Sequence, residues 1–339
     1  MSELSGSSYR QLIDRKGIIY GHLFDAAGQV HQVGWSRLKA WSLEARFMWL
    51  HLDRNDRGVR AWLAAEAGLE PAIRDALLAE EPLPHRLVVN DGLLVFLRGV
   101  NLNREAGLAD LVTARLWIES GRALSLRGPR LQAAQDLHDQ IRGYGQPDSP
   151  GDFLVAMVTR LLDWLGVVLE EMEDQLDSLE VDLLDNALNQ DFRSTLRRLR
   201  RQSIALRRYI APQSEVIRSL AYERVSWLSD SQRTRLRDLA TRNLRFADDL
   251  GAIRERIIVI DEELSVLNSE QINRTVFVLS MVTAIFLPLS FITGLLGINV
   301  GGIPGTHSEW GFVVVCIILS FIVALELFFF YYYLKKRQF

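Results

Sequence analysis

Residues 275–296, TVFVLSMVTAIFLPLSFITGLL, carry no charged side chain. As a helix at about 1.5 Å per residue the run reaches roughly 33 Å, enough to cross the hydrocarbon core of a bilayer. A second run, GFVVVCIILSFIVALELFFFYYYL at 311–334, is of similar length and holds one acid, Glu326. Arg254, Arg256 and Arg274 precede the pair and Lys335, Lys336 and Arg337 follow it, with no Lys or Arg between Arg274 and Lys335. That asymmetry predicts two membrane-spanning helices with both chain ends cytoplasmic. The aromatic block FFFYYY beside Lys335 reads as a belt at the inner interface. A signal-anchor or a buried core hairpin is the alternative. Between the runs, TGLLGINVGGIPG at 293–305 becomes a short outer hairpin, neutral and rich in glycine, in which Pro304 and Gly305 make the turn.

The rest of the chain must be soluble. With 339 residues there is room for two or three domains, and a formal charge of −3 gives no overall pull toward nucleic acid or an anionic surface. The single cysteine, Cys316, excludes an intrachain disulfide and a CxxC-type metal site. The opening MSELSGSSYRQLIDRKG lacks the apolar core of a secretory signal, so the N-terminus is expected to stay in the cytosol.

Residues 17–128 alternate strand-like pieces (GIIYGHLF, FMWLHLD, LLVFLRGV, LVTARLWIES, RALSLRG) with a helical piece, GVRAWLAAEAGL, as a compact α/β domain would. From 152 to 293 glycine and proline nearly vanish and long helices are expected. The layout is therefore a cytosolic α+β domain over 1–150, a long-helix region and stalk over 151–274, and a two-helix membrane domain over 275–339. The last holds an outer loop at 297–309 and a basic cytoplasmic tail. The acidic EEMEDQLDSLEVDLLD (170–185) and the arginine-rich RSTLRRLRRQSIALRRY (193–209) read as two arms of a helical hairpin turning near 186–191. They are either solvated, mutually salt-bridged faces or, in repeated copies, charged collars near a pore mouth. A nucleic-acid patch is disfavoured by the equal acidic arm.

Residues 231–296 support one helix of roughly 100 Å. Phe246, Leu250, Ile253, Ile257, Ile260, Leu264 and Leu267 recur at alternating spacings of four and three, the seam of a helix packed on other helices. A second face carries Asp248, Glu255 and Glu262. The same register continues through Ser269, Asn273, Val276, Ser280, Thr283, Leu287, Ser290 and Gly294. Lipid-facing positions seldom carry recurring hydroxyls and amides, so this line faces protein or water. Ordinary helix packing through small residues is one reading. A pore is the other, and it needs a ring of identical chains, because two helices cannot enclose a water path. In a ring, Ser, Thr and Asn give girdles of oxygen ligands for a hydrated cation, Val276 and Leu287 form apolar constrictions, and the acids line a cytosolic vestibule.

FLPLSFITGLLGIN followed by VGGIPG resembles the CorA superfamily of divalent-cation transporters, whose signature is Gly-Met-Asn at the outer end of the first membrane helix. Here the triplet is Gly297-Ile298-Asn299, and the aliphatic replacement with NVGGIPG behind it is similar to the zinc-transporting branch. The resemblance implies a homopentameric funnel in the bacterial inner membrane, built around the first membrane helices and capped by the Asn299 loops, and it allows either passive or proton-linked transport. Asn299 would meet the hydrated metal ion through its amide oxygen, while Gly297, Gly301 and Gly302 let backbone carbonyls approach the axis. His307 and Glu309 are candidate outer capture ligands, since imidazole suits zinc better than magnesium, or ordinary solvated loop residues.

The expected function is transport of a divalent cation, zinc first, with no cofactor. A magnesium, cobalt or nickel channel driven by membrane potential is one alternative, and a membrane-anchored scaffold or sensor without a pore is another. Glu326 is a candidate proton carrier or a snorkelling side chain. His51 and Asp53, on one face of a strand, could share a metal or form a satisfied core pair. No nucleophile–base constellation or phosphate-cradling loop appears, so catalysis is not expected.

Overall fold

The computed structural model describes residues 17–38, 46–80, 83–101, 111–185, 189–298 and 309–337. The chain divides into two compact units, Met1–Ile260 and Asp261–Phe339. The first is organised on a seven-stranded sheet in the order β2-β1-β3-β7-β6-β5-β4. The strands are β1 (Ile18–Phe24), β2 (Val30–Gln32), β3 (Phe47–Asp53), β4 (His85–Val89), β5 (Gly92–Val100), β6 (Leu111–Glu119) and β7 (Arg122–Arg127). All neighbours pair antiparallel except β3 and β7, which run parallel at the centre.

Both faces of the central strands are covered, which is why β3 and β5 read as near-continuous apolar runs. On one face Met48, Leu50, Leu52, Leu94, Phe96, Leu124 and Leu126 pack with Val59, Leu63, Ile73 and Leu77. The last four come from helices α2 (Arg57–Ala65) and α3 (Pro71–Leu78), which follow the single-turn α1 (Trp35–Leu38). Phe47 and Trp49 point to the other face and meet Phe153 of helix α5 (Pro150–Leu184). Helix α4 (Gln132–Tyr144) covers the same face. Gly99 permits the close approach of α5, since a Cβ there would lie 2.5 Å from Leu161.

Two more helices complete this unit: α6 (Gln190–Leu220) and α7 (Asp230–Leu296), whose later part belongs to the second unit. Ser149 caps α5 by accepting from the Asp152 amide, and Asn189 caps α6 by accepting from Phe192. The acidic and basic arms are thus the end of α5 and the start of α6. Acids of α5 turn to α7: Arg242 meets Asp163 at 2.6 Å, and Arg256 meets Asp177 at 2.5 Å and Glu180 at 2.8 Å. Both Arg242–Asp163 and Arg256–Asp177 join residues 79 apart, so α5 and α7 run parallel in a constant register. The α6–α7 connection is clamped at its base. Arg233 donates to the carbonyls of Ala221, Glu223 and Val225, and Asp91 in the β4–β5 turn accepts from the Ser226 amide and hydroxyl.

The face under α4 holds a polar cluster inside an apolar surround. His22 Nε2 and His138 Nδ1 share a hydrogen bond of 2.8 Å, and Tyr20 stacks between His138 and His51. Ser125 Oγ lies 2.8 Å from both His51 Nδ1 and Trp49 Nε1. Burial, with the nearby His138 and Arg142, lowers the His22 pKa to about 4; burial, with Arg127 and His138, lowers that of His51 to about 3. Both rings are neutral in the folded chain at pH 7.

Two predictions follow from this packing. Because an unfolded histidine titrates near 6.5, the unfolded chain takes up protons that folded His22 and His51 refuse; stability falls as pH drops below about 6.5 toward their folded values. Each site contributes a slope of up to about 1.4 kcal/mol per pH unit. Urea unfolding midpoints between pH 7.5 and 5 should show the decline, and His51→Gln should flatten it. On α7, Ile257 is 1% exposed and its neighbour Ile258 is 42% exposed. Ile257→Ala should cost about 2–5 kcal/mol in denaturant unfolding and Ile258→Ala less than half of that.

Candidate ion pathway along the long helix

The spacing-derived seam is where α7 is buried. Leu250, Ile253, Ile257, Ile260 and Leu264 are buried, and Phe246 and Leu267 are half-buried. Asp248, Glu255 and Glu262 are exposed. Asp248 is two residues from Leu250, and Glu255 is two from both Ile253 and Ile257. At about 100° per residue the acids sit roughly 160–200° around the helix from the seam.

The same line continues through the membrane run in the second unit. Asn273, Ser280, Thr283, Ser290 and Gly294 are exposed, as are Val276 and Leu287, the latter at 67%. Ser280, Thr283 and Leu287 line one shallow depression with Leu279 and Ala284. Thr283 Oγ1 donates to the Leu279 carbonyl at 2.9 Å, and Ser269 Oγ donates to that of Ser265 at 2.8 Å. Each hydroxyl spends its hydrogen on its own helix and keeps oxygen lone pairs free. Such oxygens accept from water or meet a cation.

Large apolar side chains cover the rest of both membrane runs. Leu279, Phe286 and Phe291 on α7 are exposed, as are Phe312, Phe321 and Phe329 on helix α8 (Gly311–Arg337). Asp230–Leu296 and Gly311–Tyr332 each contain a stretch long and apolar enough to span a bilayer. An apolar surface of this size needs lipid or protein around it. Glu326 Oε2 is buried and has no hydrogen-bond partner among the described residues.

At the outer end the Gly297 amide donates to Thr293 O at 3.0 Å, Ile298 is about half exposed, and Glu309 is exposed. Asn299, Gly301, Gly302 and His307 lie outside the described residues. In the sheet domain His51 bonds Ser125, whereas Asp53 accepts from the Asn55 amide, so the two make separate contacts. Among the described residues no group of three or more His, Cys, Asp or Glu is placed to hold a metal. The sequence reading missed Gln213, Ser214 and Asn243, which form a buried polar joint between sheet and long helix.

An α/β domain, one very long helix that ends in an apolar run and a second apolar helix fit the layout of a membrane protein. The chain belongs to the CorA-like family: the family described as CorA-like Mg2+ transporter protein matches residues 44–337. The divalent cation transporter CmaX of Pseudomonas aeruginosa is 36% identical over 315 residues, 92% of this chain and 95% of its own. The zinc transport protein ZntB of Yersinia enterocolitica is 33% identical over 305 residues, 90% of this chain and 92% of its own. A structure of full-length CmaX matches at TM-score 0.80, covering 93% of this chain and 97% of that one. The CorA magnesium transporter of Methanocaldococcus jannaschii matches at TM-score 0.81 with 18% identity, over 92% and 97%, and shares the fold. The chain is accordingly a divalent-cation transporter and not an enzyme.

Proposed function

We propose that this protein carries zinc across the bacterial inner membrane as a homopentamer with both termini in the cytoplasm. Residues 1–150 and 151–274 form its cytosolic domain and stalk, and 275–339 its membrane part. The observation that carries the reading is the line opposite the buried seam: acids in the soluble part of α7, then oxygen-bearing side chains through its apolar part. Five copies of that line around an axis make a wet path that a single copy cannot.

Ions enter past His307 and Glu309 and meet a ring of Asn299 oxygens beside Gly297 and Ile298. Neutral dipoles there strip part of the hydration shell and bind weakly enough to release the ion. The ion then passes Gly294, Ser290, Thr283, Ser280 and Asn273, keeping much of its water. Leu287 and Val276 form apolar girdles that close by dewetting. Glu262, Glu255 and Asp248 concentrate cations at the cytosolic mouth. The 33% identity to ZntB and the isoleucine at 298 support zinc as the cargo. The position of Glu326 inside the second apolar run, with Oε2 buried and without a hydrogen-bond partner among the described residues, favours a proton-linked drive.

Purified protein in proteoliposomes tests this. Zinc flux should persist in excess magnesium, and Asn299→Ala should lower it by about tenfold or more, the equivalent of about 1.4 kcal/mol at the selecting ring. Flux abolished by magnesium would instead support the magnesium, cobalt or nickel channel. No cation flux would leave a scaffold or sensor. Imposing the proton gradient and membrane potential separately reads the drive: if flux ignores the proton gradient, the proton-linked reading falls.

A further inference from the structure

The buried side of α7 contains two polar residues among those described, Gln232 in its first turn and Asn243 within the seam. Leu236, Asn243, Leu250, Ile257 and Leu264 form a strict seven-residue column, all buried, with Asn243 at 0% exposure. Its amide is fully used. Nδ2 donates to Ser214 Oγ at 2.6 Å and to Ile210 O at 2.8 Å, and Oδ1 accepts from Gln213 Nε2 at 3.4 Å. Gln213, itself 1% exposed, reaches in turn to the sheet: its Oε1 accepts from the Arg98 amide at 2.6 Å and its Nε2 donates to Arg98 O at 3.3 Å. Pairing of β4 with β5 stops at His85 and Phe96, while β5 runs on to Val100. The Gln213 amide makes with Arg98 the two-way exchange that a further strand residue would make. Three elements, β5, α6 and α7, therefore meet in one hydrogen-bonded joint.

An apolar column repeating every seven residues is nearly degenerate. Slipping α7 by one repeat along α6 would put Leu236 or Leu250 where Asn243 stands and keep most apolar contacts. Within the column only the amide changes partners; outside it the Arg242 and Arg256 pairs to α5 and the Arg233 contacts to the α6–α7 connection would also have to be remade. Buried in an apolar slot the amide would lose three hydrogen bonds, and a single buried polar residue in a helical seam is the best-attested device for fixing register at the expense of stability. What the register sets here is functional. A one-repeat slip leaves Asp248, Glu255 and Glu262 facing away from the seam but moves them about 10 Å along the axis, and helical periodicity carries Thr283 and Ser290 with them.

We propose that Asn243, with Gln213 and Ser214, is a register lock that fixes the axial position of α7 relative to α6. Its bearing on transport rests on the pathway reading above, but its existence does not. These are positioning residues; none of them meets the ion.

The test uses the full-length protein in lipid nanodiscs. Spin labels are placed at Ile204 of α6 and Val259 of α7 after Cys316→Ser, and labelled protein is diluted into unlabelled protein so that distances are intrachain. The unmodified lock should give one distance. Asn243→Leu should add a second distance population, the α7 label having moved about 10 Å along the helix axis, one heptad of rise, with no drop in the thermal midpoint. Zinc flux should fall at least about fivefold, a change of about 1 kcal/mol. Where Asn243→Leu does not assemble, Asn243→Ser, whose hydroxyl is too short to span Ile210 and Gln213, is read the same way. A single unchanged distance overturns the lock, and so does a lowered midpoint with no new distance, the signature of a merely structural residue. A displaced distance with undiminished flux supports the lock and overturns the pathway reading instead.

Discussion

Burial of Leu250, Ile253, Ile257 and Ile260 on one side of α7 determines which residues remain on the other side. A helix of this length cannot be apolar all round in its soluble part. One stripe must pack, and the opposite stripe meets water or another chain. Because α7 is one helix from Asp230 to Leu296, the division made in the soluble part carries by periodicity into the run that crosses the bilayer. The sheet serves this arrangement. It presents the face that α5 covers and the Asp91 turn that grips the α6–α7 connection, so α7 starts from a fixed point.

The chemistry of the line suits an ion that must move. A full carboxylate ring deep in the membrane would bind a divalent cation strongly and hold it, whereas hydroxyl and amide oxygens offer partial charges that compete evenly with water. Thr283 shows how a helix supplies them, with its hydrogen given to the turn below and its oxygen left outward. Full charges appear only in the soluble part, at Asp248, Glu255 and Glu262, where water screens them and a raised local cation concentration is useful without being a trap.

Much of this was legible before the fold was known. Spacings of four and three placed the seam correctly, and the absence of charge across 275–296 marked the first apolar run. The strand pieces at 47–53, 93–100, 111–120 and 122–128 fell on β3, β5, β6 and β7. Sheet order was not legible, because the parallel β3–β7 pair joins residues more than seventy positions apart and no local pattern records that partnership. The short β2 and β4 carry too few residues for alternation to show. His22 and His138 meet across 116 positions, a contact between a strand and the helix packed on it that no local pattern records. Asn243 was missed for another reason: one polar residue in an apolar column reads as an interruption until its three partners are seen. Asn299, central to the family motif, was legible only by resemblance.

Cysteine accessibility along the membrane part of α7 bears most directly on the idea that the face opposite the seam is the ion path. In a Cys316→Ala background, single cysteines at Ser280, Thr283 and Ser290 should react with a membrane-impermeant thiol reagent, be protected by zinc, and block zinc flux once modified. Cysteines at Val278, Ile285 and Ile292, which continue the seam column, should not. Equal reactivity on both faces, or modification at Thr283 and Ser290 that leaves flux untouched, would contradict it.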